Sequence, residues 1–210
     1  MIDLHMHTNY SDGTDSVIEL LKNAENNKLE LIAITDHDTC DAYEKLENID
    51  ISKYYTGKIV KGVELTCFMD GEKVEILGYN MDIKPVNAWL KEFYKDKSFG
   101  KLQLKYFNIL YEMFTKKGAK LRPIDEIIWN PEVDWSNWVI RDELNRFPEN
   151  KLILPVDMLE NQRRFTRRYV GNSESEFYID KSCDYPKAED VIKLVKDSRW
   201  FMFFSTFVCV

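Results

Sequence analysis

The stretch from Leu29 to Thr35 constrains the fold most. Leu31, Ile32, Ala33 and Ile34 are nearly continuous in apolar character. A strand that is apolar on both faces belongs in a parallel sheet covered by helices on either side. The neighbouring segments fit that demand. Met1 to Met6 predicts a short strand. Ser16 to Asn26 predicts a helix, because Val17, Leu20, Leu21 and Ala24 recur at helical spacing. Thr14, Asp15 or Ser16 can cap it, and Glu19 falls in its first turn. Asp41 to Glu47 is a second, shorter helix. Lys58 to Leu65 is a third strand and Lys73 to Tyr79 a fourth, with Asp70-Gly71 as a hairpin-like turn between them. The first third of the chain therefore alternates strand and helix.

The chemistry gathers at the ends of these strands. His5 and His7 stand two apart, so in a strand both imidazoles face the same way. Asp12 adds a carboxylate in a turn, and Gly13 gives that turn freedom at positive φ. Imidazole with carboxylate suits Zn, Mn or Fe. A lone His-x-His pair is more often an edge strand with two exposed histidines. Here, however, the chain has only 3 histidines. The third, His37, directly follows the buried strand in Ile34-Thr35-Asp36-His37-Asp38-Thr39, and Glu64 closes the third strand. A solitary Glu64 would read as a surface carboxylate. Several strand ends aiming metal-ligand chemistry at one mouth match the place where α/β barrels build their sites.

Composition excludes some other classes. A chain of 210 residues is one large domain, or one domain with an insertion. Its 44% hydrophobic and 31% charged content is ordinary for a globular protein, and its net charge of −7 provides no global basic field to recruit nucleic acid. Cys40, Cys67, Cys183 and Cys209 form no C-x-x-C pair and suggest reduced thiols in a cytoplasmic protein. No signal peptide is visible. The longest apolar run, Trp200 to Val210, falls short of the roughly 20 residues that a spanning helix needs.

From Pro85 to about Tyr185 the alternation stops. Val86 to Lys117 is helix-rich, with Gly100 expected at a break and Gly118 at a C-cap. Trp89, Phe93, Phe107 and Phe114 are expected to share one small helical core, the ordinary meaning of aromatic residues at helical spacing. Trp129, Trp135 and Trp138 cluster beyond it. Arg163, Arg164, Arg167 and Arg168 crowd one segment. A solvated helix face paired with Glu160 and Glu174 is the commoner reading of such a run, and phosphate recognition by the planar guanidinium is the functional one. Lys187 to Lys196 is an amphipathic helix, and Trp200 to Val210 reads as a further strand.

Asp3-Leu4-His5-Met6-His7-Thr8 with Ser11-Asp12-Gly13, then Ile34-Thr35-Asp36-His37-Asp38-Thr39, then Gly62-Val63-Glu64-Leu65, resembles the first three motifs of the PHP (polymerase and histidinol phosphatase) family. The likeness is greatest to its small nucleotide and oligonucleotide phosphoesterase branch. It is tight to about residue 82 and loose afterwards. It implies an α/β fold, an incomplete distorted (β/α)7 barrel with an all-helical insertion. On this expectation, residues 1–82 are the first half of the barrel, 83–185 the insertion and 186–210 a truncated return. The resemblance places His5, His7 and Glu64 on one metal, and Asp12 and His37 on a second, where they carry the catalytic role. Glu64 bridges to a third, and Asp36 only supports a ligand. Glu75 stands where the family usually has a histidine ligand. The family's later closing histidines have no counterpart here.

The implied function is hydrolysis of nucleotide or short oligonucleotide phosphate esters. The cofactors are divalent Mn, Zn or Fe, up to three in the family and fewer here. Arg163, Arg164, Arg167 and Arg168 would hold substrate phosphate. Activity is expected to be impaired, and self-association through an open barrel edge is expected, with no membrane partner. The rival reading is a degenerate, non-catalytic remnant or scaffold. An amidohydrolase-like enzyme fits the motif order less well.

Overall fold

The structure, a computed structural model, describes residues 1–198 and, by backbone alone, residues 201–205. The chain divides into two compact units. The first gathers Met1–Tyr94 with the chain from Tyr185 onward; the second is Lys95–Asp184.

The first unit is built on a five-stranded sheet whose order follows the sequence. Its strands are β1 (Ile2–Met6), β2 (Leu31–Ile34), β3 (Lys58–Met69), β4 (Glu72–Tyr79) and β5 (Phe201–Ser205). β1, β2 and β3 pair in parallel, with Ile32 opposite both Asp3 and Ile59. The helices α1 (Val17–Asn26) and α2 (Asp41–Glu47) make the crossovers that parallel pairing requires. Ser16 caps α1 in a capping box with Glu19. The remaining pairings are antiparallel. β3 passes to β4 through Asp70 and Gly71, both at positive φ, the geometry of a tight hairpin turn. The sheet is therefore mixed, with the hairpin expected at Asp70-Gly71, and β3 runs past the expected end at Leu65 to Met69. Of the expected strand Trp200 to Val210, Trp200 and residues 206–210 lie outside the described residues.

The sheet is curled. The Tyr79 hydroxyl on β4 donates to the Leu4 carbonyl on β1 at 2.8 Å. In a flat sheet, strands three places apart are separated by about 14 Å, beyond the reach of a tyrosine. Tyr43, on α2, pins the neighbouring strands from the other side. Its buried hydroxyl donates to Ile34 O at 2.7 Å and accepts from Gly62 N at 2.7 Å. Leu20, Leu21, Ile32, Ile34, Val63, Leu65 and Ile76 are the centre of this unit's core.

Helix α3 (Ile83–Tyr94) also belongs to the first unit. Its Val86 and Leu90 are buried in that core, and Trp89 packs against it with Phe93 stacked on Trp89. The expectation of one core shared by Trp89, Phe93, Phe107 and Phe114 is therefore corrected. Phe107 and Phe114 are buried instead in a second core with Leu110, Ile140, Met158 and Phe165.

Among its described residues the second unit contains helices and turns. It begins with α4 (Phe99–Lys116), followed by α5 (Ser136–Asn145), α6 (Val156–Glu160) and α7 (Gln162–Arg164), which runs into a π-helical turn over Phe165–Val170. Gly100 does not break a helix. It lies in the first turn of α4, which Ser98 caps, and an added Cβ would strike the Glu132 carboxylate. Gly118, at φ 88°, ends that helix as expected. The last described helix, α8 (Ala188–Asp197), returns to the first unit and buries Ala188, Val191 and Val195 there.

Candidate metal centre

The site lies where the parallel strands β1, β2 and β3 face one another. His5 falls on the last turn of pleat in β1, and His7 follows it on the same side. Beyond the end of β2, residues 36–38 pair with Glu64 in β3: Glu64 N donates to Asp36 O, and Asp38 N to Glu64 O at 2.9 Å. Glu64 therefore does not close its strand. It marks the level at which β2 stops pairing while β3 continues.

Glu64 is buried, with only 3% of its side chain exposed. Its Oε2 lies 2.9 Å from His5 Nε2, 3.4 Å from His7 Nε2 and 3.6 Å from His37 Nε2. Across the site Asp12, largely exposed, places Oδ1 at 3.4 Å from His7 Nδ1 and Oδ2 at 3.6 Å from His37 Nε2. The His7 and His37 rings stack at 4.7 Å. These side chains form three donor groups, each with ligand atoms within 4.8 Å of one another: His5, His7 and Glu64; His7, Asp12 and His37; His37, Glu64 and Glu75.

The donor set fits a cation for a physical reason. One carboxylate oxygen faces three imidazole nitrogens, but only His5 is close enough for a good hydrogen bond. Nδ1 of His7 is buried and makes no hydrogen bond. Burial first, and the charge on His37 second, push the pKa of His7 down. It is thus held as the neutral imidazole, whose lone pair is what a metal takes. Converging lone pairs with too few protons between them are matched by a divalent ion.

The loop carrying Asp12 is held by Asp36. This buried carboxylate accepts from Thr8 N at 2.6 Å, Thr8 Oγ1 at 2.7 Å and Ser11 Oγ at 2.7 Å. With those bonds it faces the loop and supports the donors around it. Gly13 is required there, but not for positive φ as expected. An added Cβ would lie 2.3 Å from the carbonyl oxygen of His7.

Two residues escaped the sequence reading. Asp38, at φ 53°, is half-buried and accepts from Thr66 N at 2.8 Å. Burial pushes its pKa up to about 6. Lys73 lies 2.8 Å from Glu75 Oε1. Its position two residues before Glu75, on the same strand face, was the available signal. The expected arginines lie in the second unit, on α7 and the turn after it. Arg163, Arg164 and Arg168 are exposed, and Arg168 pairs with Asp157 at 2.9 Å.

A family model described as the PHP domain matches residues 3–156. The chain belongs to the PHP domain family. The match takes in all of the donors above. Among curated PHP relatives, a 5'-3' exoribonuclease of Haemophilus influenzae is 25% identical over 193 residues, covering 90% of this chain and 64% of the relative. The phosphoribosyl 1,2-cyclic phosphate 1,2-diphosphodiesterase of Eggerthella lenta is 32% identical over 82 residues, covering 38% of this chain and 30% of the relative. The chain thus spans less than two thirds of the length of either relative. A crystal structure of a candidate metal-dependent phosphoesterase from Bifidobacterium adolescentis superposes with a TM-score of 0.56 at 18% identity, covering 97% of this chain and 65% of that one. At that identity the superposition speaks for the fold alone. No described helix of this PHP chain is long and apolar enough to cross a membrane.

Proposed function

We propose that the chain hydrolyses phosphate esters with the help of divalent cations held by His5, His7, Asp12, His37, Glu64 and Glu75. The observation that carries this reading is the convergence of all three histidines on one buried oxygen of Glu64. A divalent cation in such a place supplies a water acidified toward neutrality and neutralises phosphoryl charge. The protein's part is to hold and orient. His7, uncharged, has one lone pair to offer, so it can serve either of the two donor groups that include it. Buried Glu64 contributes the anionic charge that keeps cations in place. Asp12 is exposed enough to meet an incoming substrate.

The proposed substrates are nucleotides or short oligonucleotides, in keeping with the exoribonuclease and cyclic-phosphate diesterase among its relatives. Mn, Zn and Fe all suit the donors. We further propose that turnover is low, since six side chains serve three donor groups only by sharing. In the second unit, Arg163, Arg164, Arg167 and Arg168 are proposed phosphate contacts, and Arg168 also pairs with Asp157.

The test joins metal content to turnover. Natively purified protein is analysed for bound metal and assayed for phosphate release from 3′,5′-bisphosphonucleotides and short oligonucleotides, with and without chelator. His7→Ala should lower metal affinity at least tenfold and abolish chelator-sensitive turnover. Unchanged metal content in that variant overturns the assignment. Metal binding without turnover favours the rival reading, a non-catalytic PHP scaffold.

A further inference from the structure

We propose that Lys73 takes the place of one cation, so that the centre holds two metals rather than three. The inference rests on the metal-site reading above. Among the three donor groups, His7, His37 and Glu64 are each shared by two. Every group then has one private donor: His5 in the first, Asp12 in the second and Glu75 in the third. Only the private donor of the third is already engaged by a cation. Lys73 Nζ lies 2.8 Å from Glu75 Oε1, while the Lys73 ammonium also sits 5.9 Å from the centre of the Tyr185 ring. Residues 73 and 75 lie on one face of β4, opposite Phe68 and Thr66 of β3, so the strand itself sets this pairing.

The consequence is electrostatic. Asp12, Glu64 and Glu75 bring three negative charges. Two divalent cations already exceed them, and Lys73 adds one more positive charge beside the third group. A third cation would meet a carboxylate with one oxygen occupied, the repulsion of a nearby ammonium, and otherwise only donors that the first two groups already use.

The test counts metals. Protein stripped with chelator is titrated with Mn²⁺, and bound metal is counted by calorimetry and by elemental analysis after desalting. The wild type should take up two equivalents. Lys73→Met should take up three, Lys73→Arg two, and the double variant Lys73→Met with Glu75→Gln two again. Circular dichroism establishes that each variant is folded, and Lys73→Arg controls for loss of the long side chain. Three equivalents in the wild type, or two in a folded Lys73→Met, overturn this inference alone. The same holds if Lys73→Met raises KM for substrate at unchanged stoichiometry, which would make Lys73 a phosphate contact. A wild type that takes up no Mn²⁺ overturns the metal-site reading and this inference with it.

Discussion

At the residue scale, the candidate site depends on side chains that are not themselves proposed ligands. Asp36 accepts three hydrogen bonds from Thr8 and Ser11 and so sets the path of the loop that presents Asp12. Asn at this position keeps the shape but replaces one acceptor oxygen by a donor, leaving the Thr8 hydroxyl facing an N–H. Asp36→Asn is expected to weaken Mn²⁺ binding by about 10–100-fold, the usual consequence of losing a ligand's supporting partner. Calorimetric titration checks it, and wild-type affinity in that variant would remove Asp36 from the site. A second residue, in the other unit, gives a pH dependence of its own. Glu143 in the second unit is buried and accepts from Arg122 Nε at 2.8 Å and Arg146 Nε at 2.7 Å. The Arg122 hydrogen bond holds its pKa below the ordinary value of 4.5, against the opposing effect of burial. The folded pKa is depressed, so the stabilisation is full above the ordinary value and fades as pH falls through the lowered one. Glu143→Gln should cost about 1–3 kcal/mol at pH 7. That difference should shrink when unfolding is repeated in acid, below the ordinary carboxylate range.

At the element scale, α2 does more than connect strands. The Tyr43 hydroxyl occupies the gap between β2 and β3, bonded to Ile34 O, Gly62 N and Val60 O. Tyr43→Phe leaves the Gly62 N–H buried without that partner. It should destabilise the protein by about 1–3 kcal/mol, the cost of orphaning a buried donor. Denaturant unfolding reads the change as a lower midpoint at an unchanged slope. The loss should also reach the site, because β2 and β3 set the spacing between His37 and Glu64. The hairpin of β3 and β4 has its own role. It carries Glu64, Lys73 and Glu75 on one continuous structure, so their spacing is set by strand register rather than by loop placement.

At the scale of the whole molecule, the two units have separate cores, and every proposed metal ligand lies in the first. A ligand that binds only the folded form stabilises it by mass action, by about 2.7 kcal/mol at one hundred times its Kd. Saturating Mn²⁺ is therefore expected to raise the thermal midpoint of the wild type by several degrees. In His7→Ala the shift should vanish. An equal shift in both proteins would show that the metal acts elsewhere.

The sequence by itself determined what depends on short-range pattern. Helical spacing located α1, whereas the choice of Ser16 among its three cap candidates came with the structure. The apolar run Leu31 to Ile34 announced a parallel, doubly covered strand. The positions of His5, His7, His37 and Glu64 announced a cluster of candidate metal donors, because alternation along a strand and the ends of βα units are local properties. Contacts between distant segments were decided only by the tertiary structure. His5 meets Glu64 across 59 residues of sequence, and that meeting depends on the curl that Tyr79 and Leu4 record. The assignment of α3 to the first core was settled by which apolar face it finds, as was the exclusion of Trp89 from the second. No periodicity within a helix encodes that choice. Gly13 is another such case: its need for space comes from the His7 carbonyl folded against it, a contact that exists only once the loop has closed.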